Sequence, residues 1–280
     1  MSNKDLLNNI KKLRELTGVG FKDCKLAIDE NNGDIEKSIE FLRKKGIAKA
    51  SKKMSRTASE GLALIKNSNE EISVIEINSE TDFVAKNQDF ISFCKEISEI
   101  SFKEKGNLEK INSSNMKNNI SVKDNLIDLI AKIGEKITLR RSKFFDNKNG
   151  VNFSYVHSAI EKNVGKIIAI VKLSNSQNAK EIGNKLAMHI AASNPLALDK
   201  NDLNKDIVNK ELEIIKAELL NSGKKPEMIE KISQGKLNKF ISENTLLNQA
   251  WIIDPKIKVS DILNDCKVLD FIRYKVGEGV

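Results

Sequence analysis

Apolar residues at Leu6, Leu7, Ile10, Leu13 and Leu16 recur at three- and four-residue spacing, which marks one face of a helix. Ser2 is placed to cap that helix, and Thr17-Gly18-Val19-Gly20 to break it. A second helix over Phe21–Glu30 turns Cys24, Ala27 and Ile28 inward, and Asn31-Asn32-Gly33 ends it. Asp34 is a good N-cap for a third helix whose apolar face is Ile35, Ile39 and Leu42. Three amphipathic helices of this size can share one small core.

From Gly61 the period changes to two. Leu62 and Leu64, a turn at Asn67–Glu70, and the run Ile72–Ile77 predict a β-hairpin. Helical spacing returns at Phe90, Phe93, Cys94 and Ile97, residues 105–121 read as a loop, and Leu126, Ile127, Ile130 and Ile133 mark another helix. Strands are expected at Ile137–Phe145, Val151–Ile160 and Lys166–Leu173, and a helix at 179–192 stops before Asn194-Pro195. Hairpin-then-helix thus occurs twice, near 61–104 and near 151–193, as a weak internal repeat. Residues 205–222 and 226–243 form a helix pair, joined where Gly223 ends one helix and Pro226 starts the next. A short helix near 260–264 and a strand at 268–276 close the chain.

Composition narrows the class. With 280 residues, 40% hydrophobic and 31% charged, the chain reads as globular, with about two domains by length. Its longest apolar run, Ile167–Val171, is far below the roughly 20 residues of a membrane span, and no secretory signal is visible. Three scattered cysteines, Cys24, Cys94 and Cys266, fit free thiols in a reducing cytoplasm and no zinc pattern. The net charge of +8 is concentrated: Arg43, Lys44, Lys45, Lys49, Lys52, Lys53 and Arg56 follow one another with no acid between them. The remainder is close to neutral. This is a near-neutral protein with one basic segment.

Chemistry is hard to find. No phosphate-binding Gly loop, nucleophile elbow or His-x-x-x-His pair is present, so an enzyme is not expected, nor a cofactor or metal. His189 reads as a hydrogen-bonded helix histidine, and His157 lies in a strand beside a turn. Asn78–Asn87 lies where a sheet hands over to a helix. By one account Thr81 or Asp82 caps that helix and Phe83 packs inward. By the other, an acid beside a large aromatic on a connection is a binding feature. The residues alone leave both open.

Several segments carry a resemblance. Asn78-Ser-Glu-Thr-Asp-Phe-Val-Ala-Lys86 is similar to the central signature of the elongation factor Ts family, and Leu13–Lys25 resembles that family's opening motif. Asn32–Glu36, Ile133-Gly134-Glu135, Ala187–Pro195, Ser222-Gly223-Lys224 and Phe271–Gly279 match in the family's order. Where many members carry two adjacent apolar residues after the second Gly of the opening motif, this chain has Phe21-Lys22. The resemblance implies an α+β fold. It comprises a three-helix module like a ubiquitin-associated domain (1–45) and a two-part core with antiparallel sheets (61–145 and 146–204); between them, the charge and the small residues Gly46, Ala48, Ala50 and Ser51 suggest by composition a basic linker (46–60), helical in part. An inserted antiparallel helical hairpin of dimerisation or coiled-coil type (205–245) and a segment returning to the core (246–280) complete it. It also implies a guanine-nucleotide exchange factor that binds elongation factor Tu, GDP-bound or nucleotide-free, in a 1:1 or 2:2 complex. Thr81, Asp82, Phe83, Val84, Ala85 and Lys86 would dislodge the partner's magnesium, and Arg14, Val19, Phe21 and His157 would make further contacts. The alternative is a basic RNA- or ribosome-associated protein using residues 43–56; direct nucleic-acid binding is not expected on the family reading.

Overall fold

The computed structural model describes residues 3–17, 19–223 and 225–280, so the expected cap at Ser2 lies outside the described residues, as do Gly18 and Lys224. Helices α1 (Asn3–Thr17), α2 (Phe21–Glu30) and α3 (Ile35–Lys53) close around Ile10, Leu13, Cys24, Ala27, Ile28 and Leu42. Leu7 and Leu16, expected on the inner face of α1, are instead exposed, because so small a module covers only the middle turns of that helix. Ile39 is also exposed; Ser38 takes the inward place on α3 and donates to the Ala27 carbonyl at 3.0 Å. Asp34 caps α3 as expected, accepting from the Lys37 N–H at 3.0 Å. The helix then runs through the basic stretch. Gly46 sits against Ala131, and Ala50 is buried in the next core, so these small residues are where α3 lies closely on a later helix.

Strands β1 (Glu60–Ser68) and β2 (Glu71–Ser79) set the layering of that core. Leu62, Leu64, Ile75 and Ile77 serve one face, and Ala63, Ile65, Ile72 and Val74 the other. Both faces are covered, so apolar residues stand at successive positions of these strands and not only at the alternate ones that a period of two requires. After β2 come α4 (Asp82–Ala85), α5 (Gln88–Lys103), α6 (Leu108–Ser113) and α7 (Val122–Ile133). The stretch 105–121, expected as a loop, contains α6. Asn107 caps it and Ile111 is fully buried, but one turn and a half is too short to display a period. Strands β3 (Ile137–Phe145) and β5 (Val164–Gly165) complete the first antiparallel sheet, in the order β3-β2-β1-β5.

The second sheet runs β4-β6-β7, from β4 (Val151–His157), β6 (Ile167–Leu173) and β7 (Val268–Lys275). Strand β4 stops three residues short of the expected Ile160 because Ser158 takes a positive φ of 52° and turns the chain. Strand β5 then pairs with β1 of the other sheet, so the second copy of the hairpin-then-helix pattern is interrupted where the first is not. The sheets face each other through Ala63, Ile65, Val74, Ile168, Ile170 and Tyr274. Helices α5 to α7 cover the outer side of the first, and α8 (Gln177–Ser193) with Trp251 the outer side of the second. The arrangement is α+β, as expected, and its core is four layers deep.

One carboxylate joins the two sheets. Glu76, on the inner face of β2, is fully buried. It accepts from Arg140 at 2.9 Å, from Arg141, from Asn78 at 3.0 Å and from the Gly277 N–H at 2.9 Å. Burial alone would raise its pKa, but these donors outweigh it and hold the carboxyl below its ordinary value. Arg141 lies 4.2 Å from the centre of the Tyr274 ring, whose phenol burial pushes up to about 12. Gly277 has φ 78°, and a Cβ there would run into the Ser59 carbonyl, so the chain's last turn is clamped against the start of β1.

Helices α9 (Lys205–Asn221) and α10 (Pro226–Asn244) form the expected antiparallel hairpin over Ile215, Leu219, Ile229 and Leu237. At its base His189 is fully buried, 2.9 Å from Gln249. The Gln249 amide donates to the Ser193 and Glu243 carbonyls, so its oxygen must accept from His189 Nε2–H. Burial lowers the pKa of this histidine, and the Gln249 hydrogen bond only partly offsets it. Helix α11 (Val259–Leu263) leads into β7.

Candidate functional site: the turn between β2 and α5

Residues 80–87 connect the central strand β2 to α5, and α4 is a single helical turn inside them. Val84 and Ala85 are 6% and 1% exposed and fill the core beneath. With two successive positions of one turn committed inward, the 100° step of a helix leaves Asp82, Phe83 and Lys86 on the outer side. Phe83 is 79% exposed, the largest value for any big apolar side chain among the described residues. The account in which it packs inward is therefore overturned. Asp82 and Lys86 pair across the turn at 2.7 Å, so the aromatic ring rises beside a paired acid and base. The Lys86 hydrogen bond holds the Asp82 carboxyl below its usual range, and Asp82 in turn raises the Lys86 ammonium.

Thr81 stands at the N-cap of α4, yet its side chain makes no capping bond. Its hydroxyl donates to Glu135 Oε1 at 2.7 Å and its N–H to Glu135 Oε2 at 3.0 Å. Glu135 belongs to the turn after α7, which Gly134 ends in the left-handed region at φ 88°. The neighbouring residues tighten the same joint. Glu80 accepts the Lys136 N–H at 2.6 Å and pairs with Arg56 at 3.2 Å. Burial raises the Glu80 pKa, but these two donors more than offset it. Lys136 Nζ donates to the carbonyls of Met54 and Arg56, each at 2.8 Å, and Lys53 donates to the Gly134 carbonyl. Ile133-Gly134-Glu135 is a family-like segment along the chain, but its residues carry no sign of the part that Glu135 and Lys136 take in this joint. No local pattern reveals a partner 54 residues away.

The other expected contact residues lie on separate elements. Arg14 is exposed near the end of α1, and Phe21, 45% exposed, opens α2. Val19 between them is half-buried against the module's own core. His157 is exposed at the end of β4, on a hollow of about 350 Å³ that Tyr155, Met188 and Arg273 also line.

The basic stretch is largely occupied within the molecule. Arg43 pairs with Asp124 at 2.9 Å, Lys44 with Glu40 at 2.8 Å, Lys45 with Asp23 at 3.1 Å, and Lys53 and Arg56 are bound as described. Among the described residues, no group of three or more His, Cys, Asp or Glu is placed to hold a metal ion, and no helix is long and apolar enough to cross a membrane.

Comparison with known proteins follows the same outline. The family model described as elongation factor TS matches residues 80–278. The elongation factor Ts of Nitrobacter hamburgensis is 40% identical over 282 residues, covering 97% of this chain and 92% of the relative. That of Bartonella quintana is 40% identical over 283 residues with the same coverage, and that of Rickettsia prowazekii 39% over 285 residues, 97% and 91%.

Proposed function

The chain belongs to the elongation factor Ts family, the nucleotide-exchange factors of translation elongation, and from that premise we propose that it binds elongation factor Tu carrying GDP and expels the nucleotide with Thr81–Lys86. The observation that carries this reading is Phe83, held almost fully in solvent on a turn whose two ends are fixed. A large aromatic beside a paired acid and base, on a connection fastened at both ends, stands where binding residues concentrate. Phe83 enters the partner's packing and shifts the elements that hold its magnesium and the β-phosphate of GDP. Without the metal, phosphate charge is left uncompensated and the diphosphate departs. Exchange of this kind makes and breaks no covalent bond.

Energetics bound the role of the tip. The coupling is reciprocal: as this protein weakens GDP binding, GDP weakens this protein's binding by the same factor. Each tenfold loosening requires about 1.4 kcal/mol of differential contact. One buried aromatic supplies about 1.5–3 kcal/mol. Phe83 accounts for one or two powers of ten, and the wider grip must supply the rest. Arg14, Val19 and Phe21 of the module (1–45), the surface near His157 and the helical hairpin (205–245) are the further contacts, in a cytoplasmic complex of 1:1 or 2:2 composition.

The basic segment favours a protein partner over a nucleic acid, since Arg43, Lys45, Lys53 and Arg56 already have intramolecular partners. The test is dissociation of labelled GDP from elongation factor Tu. Micromolar concentrations of this protein should accelerate it; an unchanged rate contradicts the reading. A gel shift with tRNA at physiological salt should show no complex.

A further inference from the structure

The tip raises a mechanical question. A single turn of helix is not stable alone, because nucleation costs more than one turn returns. The direction in which Phe83 points must therefore be set by tertiary bonds on either side of α4. On the C-terminal side Val84 and Ala85 are anchored in the core. On the N-terminal side the anchor is Thr81, held through both its N–H and its hydroxyl by the two oxygens of Glu135. With both oxygens engaged, the carboxylate has a single orientation. Thr81 in turn has little freedom, and Ser79 Oγ also donates to its carbonyl at 3.0 Å.

Glu135 is fixed from behind as well. Its neighbours Gly134 and Lys136 are bound to Lys53, Met54 and Arg56 at the end of α3, and Lys136 and Arg56 both meet Glu80, next to Thr81. On the reading of Thr81–Lys86 as the exchange tip, we infer that Glu135 is its positioning residue: it touches neither partner nor nucleotide, and it acts by fixing the bearing of Phe83. Through the Gly134–Lys136 turn, the seating of α3 on the core is part of the same brace.

The chemistry gives a sharp test. Glutamine at position 135 can accept the Thr81 N–H with its oxygen and donate its amide N–H to the Thr81 hydroxyl, which rotates to accept. Both bonds survive without the charge. Glu135→Gln should therefore keep maximal GDP release from elongation factor Tu within about threefold of the parent. Glu135→Ala loses both bonds, and its maximal release rate should fall about tenfold as the competent orientation becomes a minor one. The concentration giving half-maximal release should move little, because the other contacts remain. Adding Glu135→Ala to Phe83→Ala should cause no further loss.

Several results overturn the inference: equal impairment by Gln and Ala, losses that multiply in the double variant, or a folded Glu135→Ala that matches the parent while Phe83→Ala is impaired. If Phe83→Ala is itself unimpaired, the reading of the tip fails first, and the two failures are thereby told apart. If Glu135→Ala melts early, Thr81→Val removes only the hydroxyl bond. It should lower the maximal rate without shifting half-saturation, and a folded Thr81→Val with parental kinetics counts against the inference.

Discussion

The two halves of the core make the same handover from strand to side-chain-capped helix, one with an added turn and one without. In the second half, residues 174–176 pass directly from β6 to α8, and the Ser176 hydroxyl accepts from the Ala179 N–H at 3.1 Å. In the first half, residues 80–87 intervene between β2 and α5, and the Thr81 hydroxyl at the N-cap of α4 is drawn away to Glu135. Where the hydroxyl caps its own helix, the start of that helix is self-sufficient and nothing protrudes. Where it is recruited by a distant carboxylate, an extra turn is fastened to the scaffold from outside, and the residues after it are free to face solvent. At this handover the second half is scaffold alone, and the first is scaffold with an extra turn added.

The sharpest contrast lies within the first half, between two phenylalanines. Phe90, on the inner face of α5, is fully buried, and Phe83 is 79% exposed. Phe90→Ala should cost about 3–5 kcal/mol of unfolding free energy, read from the shift of the urea midpoint. Phe83→Ala should stay within about 0.5 kcal/mol of the parent. Comparable losses at the two sites would erase the distinction between scaffold and tip.

Next in size is the joint between the halves. Glu76→Ala leaves Arg140 and Arg141 without their shared carboxylate. Their side chains are 22% and 31% exposed and partly rehydrate, so the loss should fall near the low end of the usual range, about 3 kcal/mol by urea unfolding. The carboxyl titrates below its ordinary 4.5, so the unfolded chain takes up that proton first on acidification. The stabilisation is whole above that value and disappears as pH falls through the folded pKa. The deficit of Glu76→Ala should accordingly narrow below pH 4.5. A deficit independent of pH would mean that the carboxylate charge contributes nothing.

The smallest effect tests the two hydroxyls. Ser176→Ala should cost about 1 kcal/mol, the usual loss for a helix cap. That cost should add in full to any change at Glu135, whereas Thr81→Ala and Glu135→Ala should be strongly non-additive in a double-mutant cycle. Additivity at both positions would remove the difference between the two handovers.

Much of this architecture can be read along the chain. The inward sets Leu62/Leu64 and Ile75/Ile77, the cap at Asp34 and the hairpin hinge at Gly223 and Pro226 follow from period and local preference. What cannot be read is what depends on competition for space. Leu7 and Leu16 satisfy the helical spacing but find no neighbour large enough to cover them. Gly46 and Ala50 suggest a linker by composition, yet their smallness serves close packing of α3. Phe83 carries no local sign of exposure; it faces outward because Val84 and Ala85 already occupy the inward directions of one short turn. Glu135 and Gln249 act on residues 54 and 60 positions away, a distance at which spacing carries no information.

On the proposed function, a single exposed ring on a braced turn directs nucleotide release. Stopped-flow measurement of labelled GDP leaving elongation factor Tu, driven by the parent protein and by Phe83→Ala of equal thermal stability, tests it most directly. Loss of one aromatic contact predicts release about 10- to 100-fold slower with the variant. Equal rates from two equally stable proteins would contradict the account.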